Sequence, residues 1–538
     1  MPLMFNLFTR KQGTYKDDAL SGLTVALALV PEAIAFSFLA GVNPMIGLWS
    51  AVFVGLITAS MGGRPGMISG ATGAIAIVAA GAVEMGNEVG GTEMGLKYLF
   101  ATLMLAGAIQ LLAGALRLGR FIRLVPHPVM IGFVNGLAIV IGLGQLGFFK
   151  KFSGVITDDG TRVMEWLEGS QLGLMIGLVI ATMAIMHFLP KLTKAVPSAL
   201  AAIVLIGTLA YFGVFEARTI ADVLKDGGGD GSLEKGFPPI ANLSGLPMDW
   251  AFFKSIFPIA LTIAMVGLIE SLMTLQLIDE LTETRGQGNR ECFAQGGANI
   301  LSGLFSGMGG CAMIGQSLIN IKSGGRGRTS GIVAAIALAL FILFAGPVIV
   351  QIPIATLVGV MFMVVIGTFE WSSLKTFGKV PFSEILVILA VTLVTVFLHN
   401  LALAVFVGII LSALVFAWES SKHVHVELDS DTGDERHYSV QGLIYFGSVH
   451  DFTEHFQCRS KAKTVIIDMA HARVCDMSGI EALNTLAERY KKGGKTLHVR
   501  HLSADCRRML ERAGSMLDVE ILPDDPDYSV ANLRVQAE

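Results

Sequence analysis

Apolar segments of membrane-spanning length recur from about residue 19 to residue 418, and nothing else in the chain constrains the fold as strongly. Clear ones run near 19–39, 45–61, 98–115, 127–148, 172–189, 195–213, 255–277, 329–350, 383–398 and 401–418. Four more, near 71–85, 292–307, 312–321 and 354–368, are short or rich in glycine. Inside a bilayer each backbone N–H and C=O needs a partner within its own segment, so such a series folds as a helix bundle of about fourteen spans. Composition agrees. Of the 538 residues 53% are hydrophobic and 15% charged, whereas soluble domains carry about 25% charge. A string of soluble domains, a fibre and a disordered chain are all excluded.

Charge is unevenly spread: 34 of the 82 charged residues fall in the last 118 positions, from Ser421 on. The chain therefore divides into a transmembrane domain over 1–420, a linker over 421–436 and a small α/β domain over 437–538. Neither part has the basic excess that nucleic-acid binding requires. The five cysteines are scattered without a CxxC pair or metal-ligand spacing, and three lie in the polar tail, which suits a reducing cytosol. The polar N-terminus lacks the pattern of a cleavable signal peptide.

With the N-terminus inside, the inner loops carry Arg10, Lys11, Lys16, Arg64, Arg117, Arg120, Arg123, Lys191, Lys194, Lys322, Arg326, Arg328, Lys375 and Lys379. The outer loops carry Glu84, Glu88 and Glu93, then six acids against three bases between Val214 and Trp250. This bias places both termini in the cytoplasm of a multi-pass inner (plasma) membrane protein. An even span count is required, and fourteen satisfies it.

The shortened segments are the informative ones. Residues 67–80, MISGATGAIAIVAA, and 308–321, MGGCAMIGQSLINI, each set a glycine-rich stretch before a brief apolar helix, third in each half of the chain. Paired interrupted segments mark an inverted repeat with its site at mid-membrane. Seven spans per half would insert the second repeat from the opposite side. The competing reading, that the glycines only permit close helix packing, leaves the matched positions unexplained. A half-helix starting inside the membrane has unpartnered first-turn N–H groups and the positive end of its dipole, and together these bind a small anion. Gly70, Thr72, Gly73, Gly310, Ala312 and Gly315 are small enough to let an anion reach backbone.

Those residues also carry a resemblance. VPEAIAFSFLAGVNPMIGLWSA, ISGATGA, GLIESLMT, GANILSGLFSGMGGCAMIGQSLIN and DMSGIEAL, in that order, resemble the sulfate permease (SulP) family of anion transporters, relatives of animal solute carrier family 26. The resemblance spans about Asp18 to Pro523. It implies a seven-plus-seven inverted repeat split into core and gate, elevator-like movement of one against the other, a cytoplasmic STAS domain and frequent homodimers. It implies a substrate site lined by Phe36 on the first span, by Thr72, Gly73 and Ala74 on the third, and by Ala312, Met313, Ile314 and Gly315 on the tenth. Glu270 and Thr274 match an acid and a threonine that help hold Na⁺ in sodium-coupled bicarbonate members. Gln316 stands where many members have Arg, leaving the pocket less positive. Ile314 stands where the sodium-coupled members have Thr, which removes a hydroxyl ligand.

Glu270 is the sole charge between Lys254 and Asp279, and Glu32 the sole charge between Asp18 and Arg64. A charge at mid-helix costs roughly 2.5–3.5 kcal/mol on insertion scales, so such residues are usually functional. Glu32 with Phe36 and Glu270 with Thr274 are each four apart, on one helix face. An anion site tolerates carboxylates if a cation accompanies the anion, here Na⁺ at Glu270 and Thr274, or if the acids are protonated and carry protons. Glu270 alternatively caps a broken helix, and Glu32, following Pro31, alternatively satisfies carbonyls freed by a kink. Asn135, Gln145 and Asn320 are expected to bridge helices, and His187 to sit at an interface.

From His437 strand and helix patterns alternate through VQGLIYFGSV, HDFTEHFQCRS, TVIIDMAHA, Met477–Tyr490, TLHVRHL, SADCRRMLERAG and LDVEIL, an α/β layer. Ser478 matches the serine that related anti-sigma-factor antagonists phosphorylate. The expected function is secondary transport of a small inorganic oxyanion, sulfate or bicarbonate, coupled to Na⁺ or H⁺. A proton-coupled dicarboxylate carrier and a STAS-linked receptor without flux are the alternatives. No activated nucleophile, cofactor fingerprint or structural metal motif marks an enzyme. The expected partners are the anion, the bilayer and a second copy of the chain.

Overall fold

The computed structural model describes residues 14–119, 125–156, 162–193, 197–226, 231–232, 236–375, 378–398, 401–456, 462–513 and 519–522. Two compact units divide inside the last apolar helix, Met1–Ile409 and Ile410–Glu538.

In the first unit the chain forms α1 (Tyr15–Leu39), α2 (Pro44–Met61), β1 (Ser69–Gly70), α3 (Gly73–Ala115), α4 (His127–Gly144), a hairpin of β2 (Lys150–Ile156) and β3 (Arg162–Trp166), α5 (Gly169–Leu192), α6 (Ser198–Tyr211) and the short α7 (Ile220–Asp226). It continues with α8 (Trp250–Thr282), α9 (Gly288–Leu304), β4 (Cys311–Ala312), α10 (Ile314–Lys322), α11 (Arg328–Ile349), α12 (Ile354–Thr368), the short α13 (Ser372–Lys375), α14 (Phe382–Leu398) and α15 (Leu401–Ser421). Eight of these helices, among the described residues, are long and apolar enough to cross a membrane, and α6, α12 and α14 are shorter apolar helices.

Helix α3 counts twice. Its 43 residues would measure about 65 Å, roughly double a hydrocarbon core of about 30 Å. The chain breaks where it must, at Gly90 (φ −160°, ψ 25°) and Gly91 (φ 76°, ψ −171°), the latter a conformation that favours glycine. With α9 and α10 included, seven membrane helices precede the α6–α8 connection and seven follow it, the expected two halves. Each half opens with two helices, a two-residue strand and a helix starting at that strand: α1, α2, β1, α3, then α8, α9, β4, α10.

Packing sorts the helices into two bundles. Helix α1 lies on α11, α2 on α11 and α9, and α3 on α8 and α9; separately, α4 lies on α14 and α12, and α5 on α12 and α6. These are the expected core and gate. Asn135 joins α4 to the α13 region by donating to Ser373 Oγ (3.0 Å) and accepting from Glu370 N (2.8 Å). Asn320 joins α10 to α1 and α11 through Ser21 and Ser330. Gln145 departs from expectation: its amide donates to Ile141 O on the helix it follows, closing that end, and it bridges no other helix among the described residues.

The second unit holds a five-stranded sheet in order β5-β6-β7-β8-β9: β5 (His425–Asp431), β6 (Glu435–Ile444), β7 (Thr464–Val474), β8 (Thr496–Arg500) and β9 (Glu520–Ile521). β5 runs antiparallel to β6, and the other pairs are parallel. Between the parallel strands run α16 (Val449–Glu454), α17 (Met477–Lys492) and α18 (Ala504–Ala513). Val440, Ile467, Val499, Leu483, Leu486 and Tyr490 form the core between sheet and helices. The linker expected over 421–436 is corrected here, since most of it is β5 and the turn into β6. β5 is an edge strand whose side chains are almost all exposed, and the apolar alternation that runs into it, Val424, Val426 and Leu428, is brief and ends at Ser430 and Asp431.

Candidate functional site

β1 and β4 pair antiparallel, Ser69 opposite Ala312 and Gly70 opposite Cys311, and each ends where a helix begins. The contact is too close for side chains: a Cβ on Gly310 would lie 2.0 Å from Gly70 O. Gly310 therefore serves the crossing, which corrects the expectation that it leaves room for an anion.

Non-helical backbone at this depth needs partners, and neighbouring helices supply them. Gly310 N donates to Asn299 Oδ1 (2.9 Å) and Gly310 O accepts from Gln295 Nε2 (2.6 Å), both from α9. Ala312 N donates to Ser271 Oγ of α8 (3.1 Å) and Met313 N to Ile68 O (2.9 Å). Ser317 Oγ accepts from Ile68 N (3.0 Å). The amides of Ala312 and Met313, residues expected to line the substrate site, are thus held by the scaffold.

What remains lies one residue further on. α10 begins at Ile314 with no side-chain cap, so the first-turn amides of Ile314, Gly315 and Gln316 have no intrahelical partner. Gly315 is exposed, and a Cβ built there would meet nothing within 4 Å. At α3, Thr72 is the N-cap; its hydroxyl accepts from Ile75 N (3.5 Å), leaving Gly73 and Ala74 at the tip. A Cβ on Gly73 would lie 2.6 Å from Ile141 Cδ1 and 2.9 Å from Phe36 Cε1, so the buried Phe36 ring covers this tip. Phe36, Thr72, Gly73 and Ala74 are brought together at one half-helix, Ile314, Gly315 and Gln316 at the other.

Both acids reach this region. Glu32 Oε1 accepts from Gln316 Nε2 (2.7 Å) in the first turn of α10, so it is engaged by a side chain of that half-helix. Gln316 Oε1 is buried without a hydrogen-bond partner. Glu270 Oε2 accepts from the Cys311 thiol (2.9 Å), and Cys311 Sγ lies 3.1 Å from Thr72 Oγ1. Thr274 is fully buried and its hydroxyl donates to Glu270 O (2.8 Å), so its proton is spent within α8. Glu270 is therefore grouped with Cys311 and Thr72 more directly than with the Thr274 hydroxyl. No cluster of three or more His, Cys, Asp or Glu that could hold a metal ion occurs among the described residues.

Cys311, Ser271, Ser317, Asn299 and Gln295 were not legible as site-building residues. Adjacency was the available signal, since Ser271 follows Glu270 and Cys311 follows the glycine pair. Ser478 is the second residue of α17, half-buried, behind Asp476, whose carboxylate caps the helix by accepting from Gly479 N (3.0 Å). His187 sits near the end of α5 beside Lys191 (2.9 Å).

Residues 15–391 match the sulfate permease family and residues 427–523 the STAS domain. A putative sulfate transporter, YbaR, of Bacillus subtilis (strain 168) is 39% identical over 514 residues, covering 95% of this chain and 100% of that one. A bicarbonate transporter, BicA, of Picosynechococcus sp. (strain ATCC 27264 / PCC 7002 / PR-6) is 30% identical over 526 residues, covering 92% and 90%. Among solved structures, the transmembrane domain of a cyanobacterium bicarbonate transporter BicA superposes with a TM-score of 0.60 at 30% identity, covering 74% of this chain and 97% of that one. Murine Solute Carrier 26 family member A9, an anion transporter in the inward-facing state, superposes with a TM-score of 0.76 at 16% identity over 96% and 91%, and shares the fold. With matches of this length in both parts, the chain belongs to the sulfate permease family, membrane anion transporters and not enzymes, and ends in a STAS domain.

Proposed function

We propose that this chain is a secondary active transporter of a small inorganic oxyanion, sulfate or bicarbonate, that couples uptake to a cation at Glu270 and works by movement of the core bundle against the gate. The observation that carries the reading is the uncapped start of α10, where Gly315 opens onto free space beside the capped start of α3. Two helix N-termini concentrate positive potential without Lys or Arg, and they recognise charge and size. The names of the relatives, sulfate and bicarbonate transporters, narrow the anion to this class.

Glu32 and Glu270 beside an anion need neutralising. A proton or Na⁺ on Glu270 would do so, and Thr72 and Thr274 offer oxygen lone pairs nearby. Ile314 offers no hydroxyl. The further proposals are a homodimer in the cell's inner membrane with both termini in the cytoplasm, and a modification site at Ser478.

The test is uptake by proteoliposomes of labelled sulfate, bicarbonate and succinate, each under an imposed Na⁺ gradient, a pH gradient or neither. Gradient-driven sulfate or bicarbonate uptake supports the proposal. Preference for succinate would reassign it to a dicarboxylate carrier, and saturable binding without flux to a receptor.

A further inference from the structure

Three side chains from different elements form one hydrogen-bonded chain, its far two members buried: the half-buried Glu270 of α8, Cys311 of β4 and Thr72, the N-cap of α3. Cys311 is 0% and Thr72 2% exposed. Their order matters because each has a limited supply of protons. An ionised Glu270 only accepts, so the single thiol proton goes to it. Cys311 Sγ is then left as an acceptor, and the one proton of the Thr72 hydroxyl, 3.1 Å away, goes to that sulfur. With Glu270 bare, the hydroxyl at the α3 tip has nothing to donate to an anion.

Occupation of Glu270 reverses the chain. A cation on the carboxylate competes with the thiol for its lone pairs, and a proton there can turn the carboxyl from acceptor to donor. The thiol then turns to donate to Thr72 Oγ1, and the Thr72 proton is released toward the helix tip, where Gly73 and Ala74 present their amides. No proton leaves its residue in the cation case; only hydrogen-bond directions change.

We propose that Cys311 is a positioning residue, a thiol relay by which occupation of Glu270 frees the Thr72 hydroxyl to bind the anion. The inference rests on the transport reading and adds to it the order of events, cation before anion. Linkage makes the effect reciprocal, since the anion must then raise cation affinity by the same factor. Glu270 faces the relay without an ion pair among the described residues, so its occupation is not preset by a neighbouring Lys or Arg.

Two measurements on the full chain test it. The first is the anion KM in proteoliposomes with no coupling cation and with saturating cation, Na⁺ and H⁺ in separate arms. The parent and Cys311→Ser, which keeps a donor and an acceptor, should show KM falling at least about fivefold. Cys311→Ala and Thr72→Val should show a ratio near one. The second is the infrared S–H stretch of Cys311, assigned as the band that Cys311→Ala removes. It should move to higher wavenumber with Glu270→Gln, because a neutral amide accepts more weakly than a carboxylate.

A Cys311→Ala chain that keeps the full KM ratio overturns the proposal, as does an S–H band indifferent to Glu270→Gln. A parent that takes up no oxyanion under any gradient would sink the transport reading instead. The vibrational measurement would still decide whether the thiol bond to Glu270 exists.

Discussion

Gly310 and Gly315 lie five residues apart and carry opposite expectations. A methyl on Gly310 would meet the Gly70 carbonyl at 2.0 Å, and the atoms it meets are backbone of Gly70 and Ala71, which cannot swing aside. Gly310→Ala should therefore destroy the β1–β4 crossing, and the variant should fail to accumulate in membranes as a monodisperse protein. At Gly315 the space is open, so Gly315→Ala should accumulate normally and weaken the anion KM a few-fold, while Gly315→Trp should accumulate and not transport. Quantitative blotting with size-exclusion profiles separates the two cases, and equal behaviour would refute the division of labour. Glu270→Gln gives the complementary result: normal membrane insertion with loss of cation-dependent uptake, corresponding to at least about 1.4 kcal/mol of lost coupling if the rate ratio falls tenfold. Unchanged gradient dependence in that variant would reject the coupling role.

At the scale of elements, hydropathy located the spans because lipid leaves the backbone no alternative to helix, and even the breaks in α3 and before α10 were announced by glycine. The polar scaffold was not legible. Asn299, Ser271 and Ser317 reach backbone 11, 41 and 249 positions away, and a polar side chain in a helix carries no sign of which backbone it will meet. β5 escaped for a different reason, since the apolar alternation that runs into it, Val424, Val426 and Leu428, is brief and follows directly on the last membrane helix. In the STAS sheet the same kind of cross-link can be tested by pH. Asp468 on β7 takes Arg500 Nε (3.0 Å) and His501 Nδ1 (2.9 Å) from the end of β8. Burial alone would raise its carboxyl, but the Ala470 N–H, His501 and Arg500 together hold it below the ordinary value. A depressed folded value stabilises above the unfolded pKa of about 3.9 and loses that contribution as pH falls through the folded value. Asp468→Asn should thus cost about 1 kcal/mol near neutral pH, allowing for partial exposure, and that cost should vanish as pH falls through the depressed folded value. Hydrogen exchange of the β7 and β8 amides in the intact chain reads this; a cost that persists unchanged into acid would mean that the carboxylate's charge is not what holds the strands.

For the whole molecule, the decisive number is parity. The proposed fourteen crossings would return the chain to its starting side, whereas reading α3 as one helix would give thirteen and put the ends on opposite sides. The break at Gly90 and Gly91 therefore bears on the proposed topology as well as on local geometry. The chain's own thiols can report it. Cys475 in the C-terminal unit is exposed, and Cys292, Cys311 and Cys506 are buried. In a background with Cys458 replaced by serine, a membrane-impermeant maleimide should label Cys475 in inside-out vesicles and leave it untouched in intact cells. A cysteine introduced by Tyr15→Cys, at an exposed position in the first turn of α1, should follow Cys475. One introduced by Val89→Cys, exposed beside the break in α3, should be labelled from intact cells. If the reporters at positions 15 and 475 responded from opposite faces, the crossing count would be odd. The two halves could then not enter the membrane in opposite senses, and the antiparallel meeting of β1 and β4 would lose its origin in an inverted repeat.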